Sequence, residues 1–453
     1  MKNIIIIGSG PAGYPCALKL KELGANVTIV EKGNFGGTCL NRGCIPSKSF
    51  LDAGHRVHSL EILKGLLKDK EALNFDTSML SWDKIKQRKT DVISKLRNSL
   101  EKMMQMKKIE IIKGRASFES NNKIKILASE SEVIKEFDYA IIATGTKPSF
   151  PPPFAAFKDK LLDSDRIFDI PKIPKSMAII GGGVIGLEFA CFFNSIGTDV
   201  CIIELLPNIL PGEDAMVTRT LKTSFEKRGI TFYLGKKTET LEISDNKKTL
   251  NLDDGTKIDV EEILVATGRD GNLKKLNLES IKLNYDNKGL KVNDQLQTEI
   301  ENIYAIGDIN GISLLAHSAT KQGEIAAENI MGAKKTFDNN TVPKCIYTWP
   351  EVASIGLNKG EADAKGIETK TQRTYFNFSG KALTTEAAEG FVQIVYKTED
   401  DTIIGAQIVG QSATEIIHIL AVAIKFKLKR SDMKELIYAH PTMAEGIGET
   451  LNK

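Results

Sequence analysis

The hydrophobic pattern at the start of the chain predicts a strand, a glycine-rich turn, a helix and a second strand. The strand Asn3–Ile7 leads into a turn at 8–13, the helix runs to about Leu23, and the strand Val27–Val30 ends in Glu31. The apolar run before the turn is too short for a leader peptide and is typical of a buried parallel strand. The order of these elements predicts a Rossmann-like βαβ unit.

The same pattern recurs later in the chain. A strand at Met177–Ile180 precedes a turn at 181–186, a helix to about Ile196, and a strand at Asp199–Ile203 that ends in Glu204. Because each unit of this kind holds one dinucleotide, two of them predict two dinucleotide sites.

Two further apolar stretches look like strands that complete these units. The stretches 139–142 and 263–265 each lead into Ala-Thr-Gly, at 143–145 and 266–268. A proline cluster at 148–153 follows the first of them and indicates a linker.

The remaining pattern predicts long helices and a separate C-terminal module. The charged stretch 55–108 carries apolar residues at helical spacing, which predicts one or two long helices. From about Thr341 the pattern changes to short strands, Phe391–Tyr396 and Ile403–Val409, and a helix at Ala413–Phe426. An antiparallel sheet with a helical face is a natural oligomer interface.

The predicted fold class is therefore α/β, with two Rossmann-like dinucleotide-binding domains and a C-terminal α+β interface or dimerisation domain. The expected boundaries are 1–147 with 269–340 for the first nucleotide domain, 148–268 for the second, and 341–453 for the interface domain.

Composition excludes several classes of protein. The 453 residues carry a net charge of +3, which argues against a nucleic-acid partner or a basic membrane surface. No apolar run approaches the roughly 18 residues of a membrane span. Six cysteines in a chain of this length do not make a disulfide scaffold, and we expect a reducing, cytoplasmic location. Four of them, Cys16, Cys191, Cys201 and Cys345, are interpreted as core residues.

The glycine-rich turns are the first candidate sites. Their glycines allow a tight turn and close approach to a pyrophosphate at a helix N-terminus, and the acid that ends each second strand accepts ribose hydroxyls. The alternative is a strand–helix turn without a ligand. The glycines are Gly8, Gly10 and Gly13 in the first turn, with Glu31, and Gly181, Gly183 and Gly186 in the second, with Glu204.

Glu204 also bears on the choice of cofactor. A carboxylate here suits a free 2′-hydroxyl and repels a 2′-phosphate, and the following Leu205 and Leu206 supply no cation. The second site is therefore predicted to take NAD rather than NADP.

Cys39 and Cys44 are the candidate redox centre. Four residues separate them, so an oxidised pair would close a small ring near a helix start, where the helix dipole and Lys48 favour a thiolate. Half of a zinc site and a pair of inert thiols are the alternatives. Zinc needs two further ligands, and no second Cys or His pair stands at metal spacing, so no metal is expected.

Two more residues carry candidate chemistry. His440 could move the proton in thiol–disulfide exchange, with Glu445 orienting its ring, although taken alone it could be a core or surface histidine. Asp308 ends the apolar stretch 303–307 and is placed to accept a ligand hydroxyl, or it is an ordinary turn acid.

Together these features resemble the pyridine-nucleotide disulfide oxidoreductases, over almost the whole chain and in the same order. The motifs that carry the resemblance are Gly37–Lys48, both glycine-rich turns with their acids, both Ala-Thr-Gly strand ends, Tyr304–Asp308, Leu315–His317, Ile346–Thr348 with Pro350 and Glu351, and His440–Glu445.

The resemblance implies a role for each motif. The first turn would bind FAD and the second NAD. Cys39 would be the outer thiol that exchanges with a dithiol substrate, and Cys44 the inner thiol that faces the flavin. Lys48 would lie beside the reactive flavin nitrogen and pair with Glu188. The resemblance also assigns FAD contacts to Thr38, Lys48, Thr144, Gly145, Asp308 and Ala316, and a NAD contact to Gly268.

Within the family, the chain is most similar to the branch that oxidises protein-bound dihydrolipoamide to lipoamide and reduces NAD+ to NADH. This implies a homodimer whose active site is shared, with His440 reaching the disulfide of the other subunit. The implied partners are lipoyl domains and the acyltransferase core of 2-oxo-acid dehydrogenase complexes, or a glycine cleavage system. The sequence does not indicate which complex the chain serves.

Three positions depart from this branch, and one other class of function remains open. Tyr438, Gly271 and Gln322 stand where the branch often has His, Pro and Glu. None of these changes removes a group that the chemistry needs, so their effect is on rate or partner preference. A binding subunit that uses its flavin only structurally is the alternative, and the intact Cys39, Cys44, His440 and Glu445 argue against it.

Overall fold

The computed structural model describes residues 1–69, 73, 75–128, 131–244, 247–286 and 288–453. Its helices are α1 Gly13–Glu22, α2 Gly37–Arg42, α3 Cys44–Lys64, α4 Trp82–Met106, α5 Val184–Ser195, α6 Ala215–Lys227, α7 Ala316–Ile330, α8 Lys359–Ala364, α9 Gly380–Thr384, α10 Ala413–Lys425, α11 Arg430–Lys434 and α12 Glu445–Leu451.

The strands are distributed over the whole length of the described chain. They are β1 Asn3–Ile7, β2 Asn26–Glu31, β3 Glu110–Lys113, β4 Arg115–Ser120, β5 Lys123–Leu127, β6 Glu132–Glu136, β7 Tyr139–Ile142, β8 Thr146–Pro148, β9 Leu162–Asp163, β10 Ser176–Ile180, β11 Asp199–Glu204, β12 Thr231–Leu234, β13 Thr238–Ile243, β14 Lys248–Leu252, β15 Lys257–Val260, β16 Glu262–Val265, β17 Arg269–Gly271, β18 Tyr285–Asp286, β19 Gly289–Leu290, β20 Ile303–Ala305, β21 Lys344–Ile346, β22 Val352–Gly356, β23 Thr369–Tyr375, β24 Phe391–Lys397 and β25 Ile403–Val409.

The first sheet is parallel, with the strand order β20-β7-β1-β2-β3. Its central strand β1 explains the run of isoleucines. Ile4 and Ile6 belong to one hydrophobic core, and Ile5 and Ile7 belong to another. Both faces of this strand are covered, so an uninterrupted apolar run replaces the alternation of a half-exposed strand.

The second sheet repeats this plan with the parallel order β12-β11-β10-β16-β9. Ile180, which ends β10, lies between Ile203 of β11 and Val265 of β16. The helix α5 that follows the turn is apolar over most of its circumference, because it is buried from Gly186 to Phe193. Both predicted βαβ units, and with them the α/β fold class, are confirmed.

Smaller antiparallel sheets accompany the two parallel ones. They are β4-β5-β6, β13-β14-β15, the pair β18-β19 and the pair β8-β17. In the last pair Thr146 lies opposite Gly271 and Pro148 opposite Arg269. This ribbon matters for the site, because it follows both Ala-Thr-Gly motifs.

The C-terminal module is the predicted α+β unit. Its antiparallel sheet has the order β21-β22-β25-β24-β23, and α10 packs against β22 and β25. Its core contains Ile394, Ile408 and Ile417. The predicted strands and helix of this region are confirmed, with α10 ending one residue earlier than expected.

The helical stretch predicted at 55–108 is two helices, and the first begins well before that stretch. Helix α3 starts at Cys44, and Pro46 lies in its first turn. A proline is tolerated there, because the N–H that it lacks would have no hydrogen-bond partner within the helix. Residues 70–72 and 74 of the stretch lie outside the described residues. Within the described ranges, none of these helices is long and apolar enough to cross a membrane.

The prediction that four cysteines are core residues is confirmed for two of them and in part for the other two, which pack against hydrophobic cores. Cys16 and Cys191 are fully buried, whereas Cys201 and Cys345 are partly exposed. Cys345 lies on β21, the edge strand of its sheet. Cys201 alternates with the buried Val200 and Ile202 on β11, so its side chain projects from the other face.

By its internal contacts the chain divides into two compact units. The first consists of Met1–Ser49, Asp83–Ser149 and Gly268–Asn339, and the second of Phe50–Trp82, Phe150–Thr267 and Asn340–Lys453. The first parallel sheet belongs to one unit, and the second parallel sheet and the C-terminal sheet belong to the other. The predicted domain boundaries stay a prediction.

Candidate functional site

The first glycine-rich turn is a place where side chains cannot be accommodated. Gly8 has a φ of +110°, and a Cβ built on it would lie 2.4 Å from the carbonyl oxygen of Ala143. A Cβ on Gly13 would lie 2.0 Å from the carbonyl oxygen of Gly8. These contacts bring the end of β1, the end of β7 and the start of α1 together. The helix N-terminus is thereby left open to an anionic group.

Glu31 lies at the end of β2 and is held by three donors. Its Oε2 accepts hydrogen bonds from the backbone N–H of Ser9, at 2.9 Å, and from the Ser9 hydroxyl, at 2.7 Å. Its Oε1 accepts from the N–H of Gly33 at 2.7 Å. Because a carboxylate oxygen can accept two bonds, Oε1 keeps a position for a ligand hydroxyl. Sequence reasoning missed Ser9, whose signal was a hydroxyl residue between two glycines of the turn.

The second turn reproduces this geometry. Gly181 has a φ of +111° and its Cβ would lie 2.6 Å from the carbonyl oxygen of Ala266, while a Cβ on Gly186 would lie 2.1 Å from the oxygen of Gly181. Glu204 accepts from the N–H of Gly182 at 2.7 Å through Oε2 and from the N–H of Leu206 at 2.8 Å through Oε1. Each carboxylate oxygen therefore keeps one acceptor position, enough for both hydroxyls of one ribose.

The open glycines of the two turns agree with ligand approach. Among the described residues, and apart from chain neighbours, no atom lies within 4 Å of a Cβ built on Gly183, and the nearest atom to one on Gly10 is 3.8 Å away. Gly268 has a φ of +136° and equally open space among the described residues. These positions leave backbone exposed where a cofactor would come close.

Thr144 carries an orphaned polar atom. Its Oγ1 is buried and has no hydrogen-bond partner within the described part of the chain. The carbonyl oxygens of Thr144 and Gly145 accept hydrogen bonds from Asn272, at 3.0 and 2.9 Å. A buried hydroxyl without a partner is costly, so a bound ligand at this strand end would satisfy it.

The cysteine pair lies at a junction of two helices. Cys39 is in the short helix α2, and after Gly43 the helix α3 begins with Cys44, so the Cys44 sulfur lies at the N-terminus of a 21-residue helix. Both side chains are half-buried thiols, and Lys48 lies in the first turns of α3. A helix N-terminus stabilises a thiolate there.

The two thiols interact directly. A hydrogen bond to Cys44 and burial raise the pKa of Cys39, while the charge of Lys48 opposes the increase. Nearby, burial and the Cys39 charge raise the pKa of Tyr14.

The loop after β20 carries Asp308 and is fastened to α7. Gln322 is fully buried, and its Oε1 accepts hydrogen bonds from the N–H of Gly307 at 2.8 Å and from the Asn310 amide at 2.7 Å. The acceptor of both hydrogen bonds is the side-chain oxygen of Gln322. A glutamine can therefore take the place of the glutamate that similar sequences often have at this position. Ala316 is the first residue of α7 and is half-buried.

Asp308 is part of a chain of hydrogen bonds that was not predicted from the sequence. The Thr146 hydroxyl donates to its Oδ2 at 2.9 Å, and Arg269 Nε donates to the Thr146 hydroxyl at 2.9 Å. Burial raises the pKa of Asp308, and the Thr146 hydrogen bond and the Arg269 charge oppose that increase. The only sequence signal was that Thr146 and Arg269 each follow an Ala-Thr-Gly motif.

His440 and Glu445 are hydrogen-bonded as predicted. His440 Nδ1 lies 2.8 Å from Glu445 Oε1, and Glu445 Oε2 accepts from the N–H of Thr442 at 2.7 Å. The hydrogen bonds from Thr442 and then from His440 lower the pKa of Glu445. Because a carboxylate only accepts, it holds the proton on Nδ1 and leaves the Nε2 lone pair free. The His440 side chain is 77% exposed.

Glu188 lies on α5 and is buried, at 5% exposure. Its Oε1 accepts from the backbone N–H of Tyr347 at 3.1 Å, which joins α5 to the segment before β22. Its pairing with Lys48 stays a prediction.

The candidate residues fall into both compact units. The first unit holds the first turn with Glu31, the region Thr38–Lys48, Thr144 and Gly145, Gly268, and Asp308 with Ala316. The second unit holds the second turn with Glu204, as well as Glu188, His440 and Glu445. Over the described ranges, no group of three or more His, Cys, Asp or Glu side chains is arranged to hold a metal ion.

Residues 2–323 match the family described as pyridine nucleotide-disulphide oxidoreductase. The chain belongs to this family. Residues 342–451 match the dimerisation domain of the pyridine nucleotide-disulphide oxidoreductases, so the antiparallel sheet with α10 is the dimerisation module of the family. The resemblance drawn from the sequence motifs is confirmed.

Similar proteins cover the chain from end to end. It is 36% identical to a dihydrolipoyl dehydrogenase of Staphylococcus aureus, over 100% of this chain and 96% of that relative. It is 35% identical to dihydrolipoyl dehydrogenases of Halobacterium salinarum, over 99% and 95% of the two chains, and of Geobacillus stearothermophilus, over 97% and 93%.

Solved structures share the fold of this family member. The crystal structure of LpdA from Mycobacterium tuberculosis matches with a TM-score of 0.92 and 24% identity, over 100% of this chain and 99% of that one. The HOCl-induced flavoprotein disulfide reductase RclA from Escherichia coli matches as its Cu(II) complex, with a TM-score of 0.89, 24% identity and coverage of 100% and 99%.

Proposed function

We propose that this oxidoreductase oxidises protein-bound dihydrolipoamide to lipoamide and reduces NAD+ to NADH. The dithiol gives up two electrons and two protons; NAD+ takes both electrons and one proton as NADH, and the second proton goes to solvent. The Cys39–Cys44 pair carries this proposal. Two half-buried thiols joined by a hydrogen bond, one of them at a helix N-terminus, are suited to alternate between dithiol and disulfide.

The two thiols have different roles. A substrate thiolate attacks Cys39 Sγ of the oxidised pair, the bond between the two cysteine sulfurs breaks, and Cys44 leaves as a thiolate. The second substrate thiol, as its thiolate, then attacks the substrate sulfur that is bonded to Cys39. The bond between that sulfur and Cys39 breaks, lipoamide is released, and Cys39 leaves as a thiolate that takes up a proton. Cys44 is the better leaving group, because the N-terminus of α3 stabilises the negative charge of its thiolate.

His440 is the base for this exchange. The substrate thiol reacts only as its thiolate, so a group that accepts its proton accelerates the attack. Glu445 fixes the ring with the proton on Nδ1, at 2.8 Å, so Nε2 takes the substrate proton. The same carboxylate stabilises the imidazolium that forms.

The first βαβ unit fits FAD. The open helix N-terminus behind Gly8–Gly13, the free acceptor position on Glu31 and the orphaned Thr144 hydroxyl are what a pyrophosphate, a ribose and a flavin-bearing chain require. FAD, when bound, carries the electron pair between the cysteine pair and NAD. Thr38, Lys48, Gly145, Asp308 and Ala316 are the further residues that we assign to it.

The second βαβ unit fits NAD. Glu204 has one acceptor position left on each oxygen, which suits a ribose with both hydroxyls free. A 2′-phosphate would place like charges together in the same cleft. We assign Gly181, Gly183, Gly186 and Gly268 to this cofactor. The domains that hold FAD and NAD are then 1–147 with 269–340, and 148–268.

The chain is a homodimer, as the dimerisation domain of its family indicates. We further propose that each active site is shared, with the base His440 contributed by one chain and the cysteines by the other. In a single chain the His440 ring is largely exposed, and three residues earlier Ile437 is 99% exposed. Exposure of a large apolar side chain to water is unfavourable. A second chain that covers Ile437 and His440 in the dimer would account for the exposure of both.

Mixed dimers test the shared site. We expect dithiol turnover to be severely lowered in His440→Gln and abolished in Cys39→Ser, whereas a mixed dimer has one site with both residues intact. If the variants exchange subunits, part of the activity returns. Demonstrated exchange without recovery would mean that each site is built within one chain.

Lipoyl domains are the proposed substrates, and the acyltransferase core of a 2-oxo-acid dehydrogenase complex, or the lipoyl protein of glycine cleavage, is the proposed partner. The cytoplasm is the proposed compartment, because disulfides of cytosolic proteins are usually transient and catalytic.

A substrate panel tests the reaction. Rates with dihydrolipoamide, glutathione disulfide and trypanothione disulfide are compared, each with both nicotinamides. We expect turnover with dihydrolipoamide and NAD+ to exceed every other combination by orders of magnitude. A preference for a disulfide substrate with NADPH would overturn the proposal.

A further inference from the structure

Thr146 is a buried threonine whose side chain links two charged groups of the first unit. It is 5% exposed. Its hydroxyl donates to Asp308 Oδ2 at 2.9 Å and accepts from Arg269 Nε at 2.9 Å. Arg269 Nη2 also donates to the Thr146 carbonyl oxygen at 3.1 Å, so the guanidinium grips this residue at two points.

The chemistry of these groups fixes the direction of the chain of hydrogen bonds. Guanidinium has only donors, so the Arg269 bond must use a lone pair of the Thr146 hydroxyl. The single hydroxyl proton is then free to point at Asp308, whose carboxylate only accepts. The Thr146 hydroxyl therefore accepts from Arg269 and donates to Asp308. The opposite direction is not possible, because the guanidinium cannot accept and the carboxylate cannot donate.

This arrangement has two effects on Asp308. One carboxylate oxygen, Oδ2, accepts the Thr146 hydrogen bond, which restricts the rotation of the carboxyl group. The charged form is also supported against burial, since both the Thr146 hydrogen bond and the Arg269 charge favour it.

The backbone beneath Asp308 is fixed independently. Gln322, fully buried, binds the N–H of Gly307 and the side chain of Asn310, the residues on either side of Asp308 and Ile309. The carboxyl group is thus held through its side chain by the β8–β17 ribbon and through its backbone by α7.

We propose that Thr146, oriented by Arg269, is a positioning residue that holds Asp308 as a charged acceptor for a hydroxyl of FAD. This rests on the FAD site of the proposed function. Thr146 is the residue to change, because Arg269 directly follows Gly268, which we assign to NAD.

The test is FAD retention by the holoenzyme. Thr146→Val removes the hydroxyl and keeps the shape. FAD release on dilution, followed by the rise of free-flavin fluorescence, should show an affinity about tenfold weaker, the lower end for a lost hydrogen bond to a charged group. Thr146→Ser should restore affinity to within about threefold, because it restores the donor.

Thr28→Val is the matched control. Thr28 is also buried in the first unit, and its hydroxyl donates to a carboxylate, Glu110 Oε2, at 2.6 Å. This variant should lose stability without losing FAD. If Thr146→Val does not fold, Thr146→Ala removes the hydroxyl together with the γ-methyl group and puts nothing in their place.

Two outcomes overturn the inference. Equal FAD affinity of wild type and Thr146→Val would do so, and so would an undiminished effect of Thr146→Val in an Asp308→Ala background, because the hydroxyl would then act without Asp308. Failure of the wild type to bind FAD at all would instead overturn the proposed function.

Discussion

Replacing Glu445 by glutamine probes how the base is kept in its active form. Both carboxylate oxygens accept a hydrogen bond, Oε1 from His440 and Oε2 from the Thr442 N–H. Glutamine has one oxygen and one amino group, so it can satisfy only one of these donors. If the glutamine oxygen accepts from the Thr442 N–H, the glutamine amino group donates to His440 Nδ1. The proton of the imidazole then lies on Nε2, the atom that must be unprotonated to act as the base.

The size of the effect follows from the competition between these two orientations. The active orientation turns the amino group toward the Thr442 N–H and leaves that part-buried donor unpaired, at a cost of about 1–2 kcal/mol. At about 1.4 kcal/mol per factor of ten, the active orientation is populated at roughly 3–20%. We expect dithiol turnover to fall about 5- to 30-fold, whereas His440→Gln, which removes the base, should cost about 10²- to 10⁴-fold.

The assay is NADH formation from dihydrolipoamide, with NADH oxidation by ferricyanide as the control reaction, because a direct electron acceptor needs no base at the thiols. Glu449→Gln is the matched control for Glu445→Gln. Glu449 is exposed and lies one turn further along α12, and the substitution changes a carboxylate to an amide in the same way. It should behave as wild type. The reasoning fails if Glu445→Gln retains full activity, or if it is as damaging as His440→Gln.

Two further predictions concern the nucleotide sites. Glu204→Arg should weaken the use of NAD+, by loss of both acceptor positions, and raise the use of NADP+; steady-state efficiencies with the two nucleotides check this, and an unchanged ratio would contradict it. Asp308→Asn should raise the melting temperature of the FAD-free protein at neutral pH while weakening FAD binding. Burial raises the pKa of Asp308, so above that pKa the charged carboxylate destabilises the folded protein. The gain in melting temperature from Asp308→Asn should therefore shrink as the pH falls toward the ordinary pKa range of an aspartate, where the carboxyl group becomes protonated. A gain in melting temperature that does not change with pH would contradict this prediction.

The sequence predicted the elements whose signals are local. The strand at Asn3–Ile7, the strand at Tyr139–Ile142 and both glycine-rich turns were placed correctly, because apolar runs and glycines report on their own backbone. The start of α3 was missed, because the charge pattern that revealed this helix begins only after its first three turns.

Contacts between distant residues could not be predicted in the same way. Arg269 and Thr146 are 123 positions apart, and nothing in either neighbourhood indicates that they share a hydrogen bond or that Thr146 reaches Asp308. The bond between His440 and Glu445 was predicted, because the two are only five positions apart in the motif that leads into α12.

The most direct test of the central claim is NADH formation from dihydrolipoamide by Cys39→Ser, with Cys345→Ser as the matched control. Cys345 is also partly exposed, but it lies on β21 and has no assigned role. We predict that Cys39→Ser retains FAD and oxidises NADH with ferricyanide, yet forms no NADH from dihydrolipoamide, while Cys345→Ser is fully active. Wild-type dithiol turnover by Cys39→Ser would contradict the account.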